Sequence, residues 1–137
     1  MYKELDKYIM EFAMEDFPID YWFDEGASIA EDMIQKFDCR DWEALREELP
    51  QKTIGWKRRL SYCLHDSIDI RGLEVLLILI NTDDEELFEI SVDSLRCFKN
   101  SIGKEIVYNN SEIKQKIETL MPNAGIATRK IFEEILR

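Results

Sequence analysis

The sequence has a single histidine, His65, and only three cysteines, Cys39, Cys63 and Cys97, which lie far apart. One imidazole cannot build a typical His-based metal site, and three isolated thiols form neither a disulfide framework nor a paired zinc knuckle. The five glycines are dispersed and form no phosphate-binding loop. We therefore expect no metal and no cofactor, and we interpret the protein as a non-enzyme because no complete catalytic constellation is present.

Long apolar runs are also missing. The longest apolar block, residues 73–80, is interrupted by Glu74 and is far too short to cross a bilayer. The first residues, MYKELDKYIMEF, lack the apolar run and small-residue cleavage site of a signal peptide. The sequence thus predicts a cytoplasmic protein with reduced thiols and no membrane partner.

Basic residues are scarce, and they are scarcest near the start. The chain has 29 acids and 18 bases, a formal net charge of -11. Residues 1–35 carry ten acids and two bases, a balance of -8, while the other 102 residues carry 19 and 16, a balance of -3. Nucleic-acid binding requires a basic surface, so this charge argues against a nucleic-acid partner. A basic protein is the natural complement of such a surface.

Residues 15–26, EDFPIDYWFDEG, place three consecutive aromatic residues among five acids. Successive side chains point in different directions on a helix or a strand, so these rings cannot all enter one core. One interpretation is a packed connector that leaves Trp22 half exposed. The other is an acidic and aromatic anchor for a partner, because tyrosine and tryptophan are enriched at binding hot spots. On that second interpretation the partner-binding residues are Asp16, Asp20, Tyr21, Trp22, Asp24 and Glu25.

A second acidic run, residues 83–86, follows the apolar block. Thr82 and Glu85 have the spacing of a capping box, so the run is typical of a helix start, where acids are also stabilised by the helix dipole. We favour that role. The alternative is a secondary partner-binding patch formed by Asp83, Asp84 and Glu86.

Apolar residues recur at helical spacing through most of the chain, which predicts an all-α fold. We expect residues 1–137 to form a single compact domain of about seven or eight helices, for which HEAT-like stacked helix pairs are one arrangement. Asp38 is predicted to cap one helix. The stretch SIGKEIVYNN, residues 101–110, is predicted to be a loop because of its glycine and paired asparagines. The most basic spot, Lys57-Arg58-Arg59, is interpreted as a solvated helix face.

Three stretches support a resemblance to a known family: WKRRLSYCL at residues 56–64, NTDDEEL at 81–87 and VDSLR at 92–96, with the apolar block between them. They resemble small helical immunity proteins of bacterial toxin systems, including contact-dependent growth inhibition, some of which have HEAT-like packing. The resemblance covers about residues 42–99 and consists mainly of core-type residues, so it assigns no site residues.

The resemblance implies a cytoplasmic protein that binds one cognate toxin domain, commonly a basic nuclease, and covers its active site or substrate surface. An acidic inhibitor would then substitute for the phosphate backbone of the substrate. The alternative is a helical-repeat adaptor or scaffold that presents a groove to a protein partner.

Overall fold

The computed structural model describes residues 1–12, 22–64, 69–97 and 101–136. Within these ranges the chain forms nine α-helices and no strand. The helices are α1 (Tyr2–Phe12), α2 (Ala27–Gln35), α3 (Cys39–Glu48), α4 (Ile54–Cys63), α5 (Ile70–Leu79), α6 (Glu85–Cys97), α7 (Ser101–Asn109), α8 (Ser111–Leu120) and α9 (Ile126–Leu136). A π-helical turn, Trp22–Gly26, precedes α2, and short 3-10 turns, Leu49–Gln51 and Met121–Asn123, follow α3 and α8. The prediction of a single all-α domain is confirmed.

Helix starts are set by short polar side chains, as expected for residues that satisfy free backbone N–H groups. Asp38 caps α3, and the side chain of Asp41 reaches back to the Asp38 N–H, completing a capping box. The prediction of a helix capped by Asp38 is therefore confirmed. Thr53, Asp69 and Asn110 cap α4, α5 and α8 in the same way.

The predicted loop at residues 101–110 is wrong, because residues Ser101–Asn109 form helix α7. Val107 is fully buried and Ile106 and Tyr108 pack against the same core, so tertiary burial outweighs the weak helix propensity of glycine and asparagine. Asn110, which we interpreted as part of the loop, instead caps the following helix. This additional helix partly explains why the described residues contain more helices than the sequence predicted.

Helices contact both their immediate neighbours and helices two places along the chain. Immediate neighbours in contact include α1 and α2, α5 and α6, and α6 and α7, and next-but-one contacts join α1 to α3, α2 to α4, α4 to α6, and α7 to α9. Contacts of both kinds are what stacked helix pairs produce. One hydrophobic core includes Trp56, Leu60, Leu76, Phe88 and Phe132.

The contact between α4 and α6 is closed by small polar residues. Ser61 and Ser91 are fully buried and their hydroxyl oxygens lie 2.9 Å apart. Ser94 donates a hydrogen bond of 2.7 Å to the carbonyl oxygen of Ser61. Because these hydroxyls satisfy one another, the two helices can approach closely without leaving a buried polar group unpaired. This contact fixes the two helices that carry the surface described next.

Candidate partner-binding surface

The first predicted surface lies only partly within the described residues. Asp16, Asp20 and Tyr21 lie outside them, as does the side chain of Asp24, so their proposed role stays a prediction. Glu25 is exposed at the end of the π-helical turn. Its carboxylate is therefore accessible to a partner.

The prediction of a half-exposed Trp22 is wrong. Its side chain is 2% exposed and belongs to the core. The indole ring lies 5.0 Å from the ring of Phe12 and 6.3 Å from that of Tyr8, measured between centroids, so it seals α1 against the start of α2. A ring buried in this way is not available as a binding anchor, and Trp22 is removed from the candidate surface.

Gly26 explains how the Trp22 ring enters the core. A Cβ atom at Gly26 would lie 2.8 Å from Cε3 of Trp22 and 3.2 Å from the ring of Phe12. Real Cβ atoms do not approach that closely, so only glycine lets the backbone pack directly on the indole. Neither interpretation of the aromatic run predicted this, because the packed connector left Trp22 half exposed and the anchor placed it on a binding surface, whereas the ring is buried.

The second acidic run forms a corner where the chain enters α6, and Asp84 is its structural centre. Asp84 accepts two hydrogen bonds from Arg58 on α4, of 2.9 Å from Nε and 2.6 Å from Nη2. Its Oδ2 atom also accepts from the N–H of Leu87, at 2.8 Å, which makes Asp84 the N-cap of α6. The bonds from Arg58 are the main cause that lowers the pKa of the Asp84 carboxyl. The helix-start interpretation is therefore correct for this residue.

Thr82 does not cap α6 as the predicted capping box required. Its hydroxyl accepts from the N–H of Asp84 and so fixes the turn before the helix. Lys116 on α8 adds a second restraint, because its ammonium group donates to the carbonyl oxygen of Thr82 and lies over the ring of Phe88. The corner is thus held by both neighbouring helices.

The basic spot on α4 is not the solvated face that we predicted. Lys57, Arg58 and Arg59 are all partly buried. Arg58 holds Asp84 and also Glu86, whose carboxylate lies 3.1 Å from Nη1. Arg59 donates to the carbonyl oxygen of Gly55 at 3.1 Å. Arg58 therefore joins α4 to the start of α6 and neutralises part of this acidic run, whereas the hydrogen bond of Arg59 stays within α4.

Asp83 and Glu85 provide the charge that remains. Both are exposed, and among the described residues no lysine or arginine forms an ion pair with either carboxylate. Glu86 is 53% exposed and shares Arg58 with Asp84. We call Asp83, Asp84, Glu85 and Glu86 the acidic corner.

The acidic corner continues along α6 into a groove that the sequence analysis missed. Glu89, one helical turn after Glu86, is partly buried, and its Oε2 atom lies 3.5 Å from the hydroxyl of Thr128 on α9. Burial is the main cause that raises the pKa of the Glu89 carboxyl, and the nearby charges of Glu85 and Glu86 raise it further. Glu89 therefore keeps a carboxylate in a place that is unfavourable for charge.

The groove lies between α4, α6 and α9 and has a volume of about 350 Å³. This is at the lower end of the roughly 300 to 1,000 Å³ that small-molecule pockets occupy. We call it the acidic groove. It is lined by Tyr62, Glu89, Ile90, Asp93, Ser94, Cys97 and Ile131. Tyr62, Ile90 and Ile131 supply apolar surface, and the two carboxylates supply negative charge.

Two further grooves differ from the acidic groove in charge. The groove between α3 and α5, about 460 Å³, is lined by two acids and two bases, Glu43, Glu47, Arg46 and Arg71, in addition to Cys39, Trp42 and Ile78. The groove at the start of α9, about 430 Å³, is lined by Arg129, Lys130 and Glu133 with three small or aliphatic residues. The formal charge of the lining is thus -2 for the acidic groove, 0 for the groove between α3 and α5, and +1 for the groove at the start of α9.

In the part of the chain that the structure describes, no three His, Cys, Asp or Glu side chains converge on a point where a metal ion could bind. None of the described helices has both the length and the apolarity that spanning a membrane requires. His65 lies outside the described residues.

Comparison with known proteins gives no relatives. The chain matches no protein-family model, no curated protein and no solved structure.

Proposed function

We propose that this protein is an immunity protein, which binds a cognate toxin domain, in particular a basic nuclease, and covers its active site or substrate surface. The observation that carries the proposal is the acidic corner: Asp83 and Glu85 present unneutralised carboxylates on a turn held by Arg58 and Lys116. The resemblance of residues 56–64, 81–87 and 92–96 to helical immunity proteins supports the same function.

The geometry of the acidic corner favours recognition of a basic protein surface. A fixed array of like charges attracts an oppositely charged partner from a distance and raises the rate of association. Because Asp84 and Glu86 are already oriented by Arg58, little side-chain freedom is lost when a partner binds. Such carboxylates can occupy the basic surface on which a nuclease would otherwise hold phosphates.

Charge reversal at the two unpaired acids tests this proposal. The Asp83→Lys/Glu85→Lys variant leaves Arg58 and Asp84 intact, so we expect it to fold, with a loss of about 0.3 to 1 kcal/mol for each acid removed from the helix start. Affinity for the toxin domain encoded beside this gene should fall by about tenfold or more, because close charge pairs across interfaces contribute about 1.5 to 7 kcal/mol of coupling.

A matched control separates the acidic corner from net charge. Glu43→Lys/Glu47→Lys changes the same number of exposed acids on α3 and should leave the affinity within about twofold of the wild type. Equal loss in both variants, or no loss in either, would contradict the assignment of the corner. The reversal Asp20→Lys/Asp24→Lys/Glu25→Lys tests the first predicted surface in the same assay.

A second candidate function, a helical-repeat adaptor, is favoured by the acidic groove and by the contacts between helices that lie two places apart in the chain. An adaptor holds a segment of its partner without blocking a catalytic site. The gene neighbourhood distinguishes the two, because an immunity gene lies directly beside a toxin gene. Inhibition provides the biochemical criterion: an immunity protein abolishes the toxin's activity at stoichiometric amounts, and an adaptor does not.

A further inference from the structure

We infer that the acidic groove between α4, α6 and α9 binds a basic amphipathic segment of a protein partner, with an aliphatic side chain on Ile90 and Ile131 and a lysine or arginine at Glu89. The basic character of the partner rests on the proposed function. The location of the contact in the acidic groove and the amphipathic character of the bound segment go beyond the proposed function.

The floor of the groove is apolar and fixed. Tyr62 from α4, Ile90 from α6 and Ile131 from α9 line it, and all three are partly exposed. The hydroxyls of Ser61, Ser91 and Ser94, of which Ser94 also lines the groove, hold α4 and α6 together. A floor that does not rearrange loses little entropy when an apolar side chain covers it.

Glu89 specifies the charge of the occupant. Its carboxylate is partly buried, it has no lysine or arginine partner among the described residues, and its polar contact there is the 3.5 Å approach of the Thr128 hydroxyl. Partial burial of a carboxylate without a counter-ion is unfavourable, so a cation brought next to it recovers free energy that the unbound protein lacks. The other acid of the lining, Asp93, is already paired with Arg96 at 2.6 Å.

The two other grooves described above do not fit the same occupant. The lining of the groove between α3 and α5 contains two bases, Arg46 and Arg71, beside its two acids. The groove at the start of α9 carries a net positive lining. Charge complementarity therefore directs a cationic segment to the acidic groove, and the apolar floor distinguishes an amphipathic segment from a purely basic one.

Synthetic peptides of about 14 residues, roughly four helical turns, provide the probe. One carries leucine on a single helical face and lysine elsewhere. A second replaces every leucine with serine and keeps the charge, and a third replaces every lysine with glutamate. We expect the leucine/lysine peptide to bind at least about tenfold more tightly than either control, since both apolar contact and charge are required.

Mapping the binding site decides the inference. In NMR titrations with the leucine/lysine peptide, the largest amide and methyl shifts should fall at Tyr62, Ile90 and Ile131. The Glu89→Gln variant should weaken binding by about tenfold, and the matched Glu43→Gln variant should not change it. Shifts centred on the groove between α3 and α5, on the start of α9, or spread over the acidic surface would overturn the inference. Equal binding of the serine/lysine peptide would also overturn it.

Two exposed cysteines offer an independent test of place. Cys97 lines the acidic groove, Cys39 lines the groove between α3 and α5, and Cys63 is buried. In Cys39→Ser, a bulky maleimide on Cys97 should abolish binding of the leucine/lysine peptide. In Cys97→Ser, the same adduct on Cys39 should leave binding intact. If the two adducts have the same effect, the inference is wrong.

The outcome is separable from that of the proposed function. If Asp83→Lys/Glu85→Lys weakens toxin binding while Glu89→Gln affects neither toxin nor peptide, the groove inference fails and the immunity function stands. If the leucine/lysine peptide maps to the groove but the neighbouring toxin neither binds nor is inhibited, the immunity function fails and the groove remains a site for a different basic partner.

Discussion

Asp84 is predicted to contribute more to stability than any other member of the acidic corner, because one carboxylate makes two kinds of contact. Replacement by alanine removes the N-cap of α6, which costs about 1 kcal/mol. It also removes the two bonds from Arg58. Hydrogen bonds to charged groups contribute about 1.5 to 3 kcal/mol, but the Arg58 and Asp84 side chains are 33% and 22% exposed, so solvent screening lowers their contribution to about 1 kcal/mol.

The Asp84→Ala variant should therefore lose about 2 kcal/mol of unfolding free energy, which for a chain of this size lowers Tm by roughly 6 to 8 °C. Urea denaturation followed by circular dichroism measures this loss. Asp84→Asn keeps a capping oxygen and should lose about half as much. Glu86→Gln, at an exposed ion pair, should lose less than about 0.5 kcal/mol. An Asp84→Ala variant within about 0.5 kcal/mol of the wild type would refute the role assigned to this carboxylate.

The pH dependence gives the same prediction a second readout. Arg58 lowers the pKa of Asp84 in the folded state below its ordinary value of 3.8. The folded state thus binds this proton more weakly than the unfolded state, and the stabilisation is complete above the unfolded pKa and is lost as pH falls through the folded pKa. The stability difference between wild type and Asp84→Asn should be constant near neutral pH and should shrink below about pH 4. A difference that persists under strongly acidic conditions would contradict the ionic contribution.

Three further predictions concern packing, charge and thiol reactivity. Gly26→Ala should destabilise the fold by about 1 to 3 kcal/mol, because the added Cβ would overlap Trp22. Gly125→Ala, whose Cβ meets nothing within 4 Å, should be neutral or slightly stabilising. Equal effects of the two variants in thermal denaturation would contradict this prediction. Glu89→Gln should raise the free energy of unfolding by about 0.5 kcal/mol near neutral pH, since the raised pKa of Glu89 in the folded state makes its ionisation unfavourable. The gain should vanish below the ordinary carboxyl pKa, and a loss of stability at neutral pH would contradict the prediction. Cys63 should resist alkylation in the folded protein, because it is buried and burial raises the pKa of its thiol. Labelling of Cys63 as fast as that of the exposed Cys39 would contradict this prediction and would show that the core opens.

Local signals explain which parts of the fold were predictable. The cap at Asp38 and the helix in residues 70–79 depend on nearby residues and on apolar content, and both are present. The helix at residues 101–109 was missed because Gly103 and Asn109 are poor helix formers, and the burial of Val107 that stabilises it arises only from tertiary packing. Helical spacing thus predicts the class of fold better than it predicts every element.

Some features of the candidate surface could likewise be predicted from the sequence, and others depend on tertiary packing. The role of Asp84 at a helix start follows from its sequence neighbours, but its partner Arg58 lies 26 residues away and could not be assigned before α4 and α6 were placed together. Burial of Trp22 depends on a close approach to Gly26 that no periodicity encodes. The acidic groove combines three helices, and its one sequence signal, the spacing of Glu86, Glu89 and Asp93, is also that of an ordinary solvated helix face.

The immunity function requires a toxin domain encoded beside this gene, and inhibition of such a domain tests the central claim most directly. The activity of that domain is measured while this protein is added up to and beyond an equimolar amount. We predict complete inhibition by one equivalent of wild type and of Glu43→Lys/Glu47→Lys, and inhibition by Asp83→Lys/Glu85→Lys only at about tenfold higher concentration or more. Full toxin activity in the presence of excess wild-type protein, or equal inhibition by the variant reversed at the acidic corner, would contradict the account.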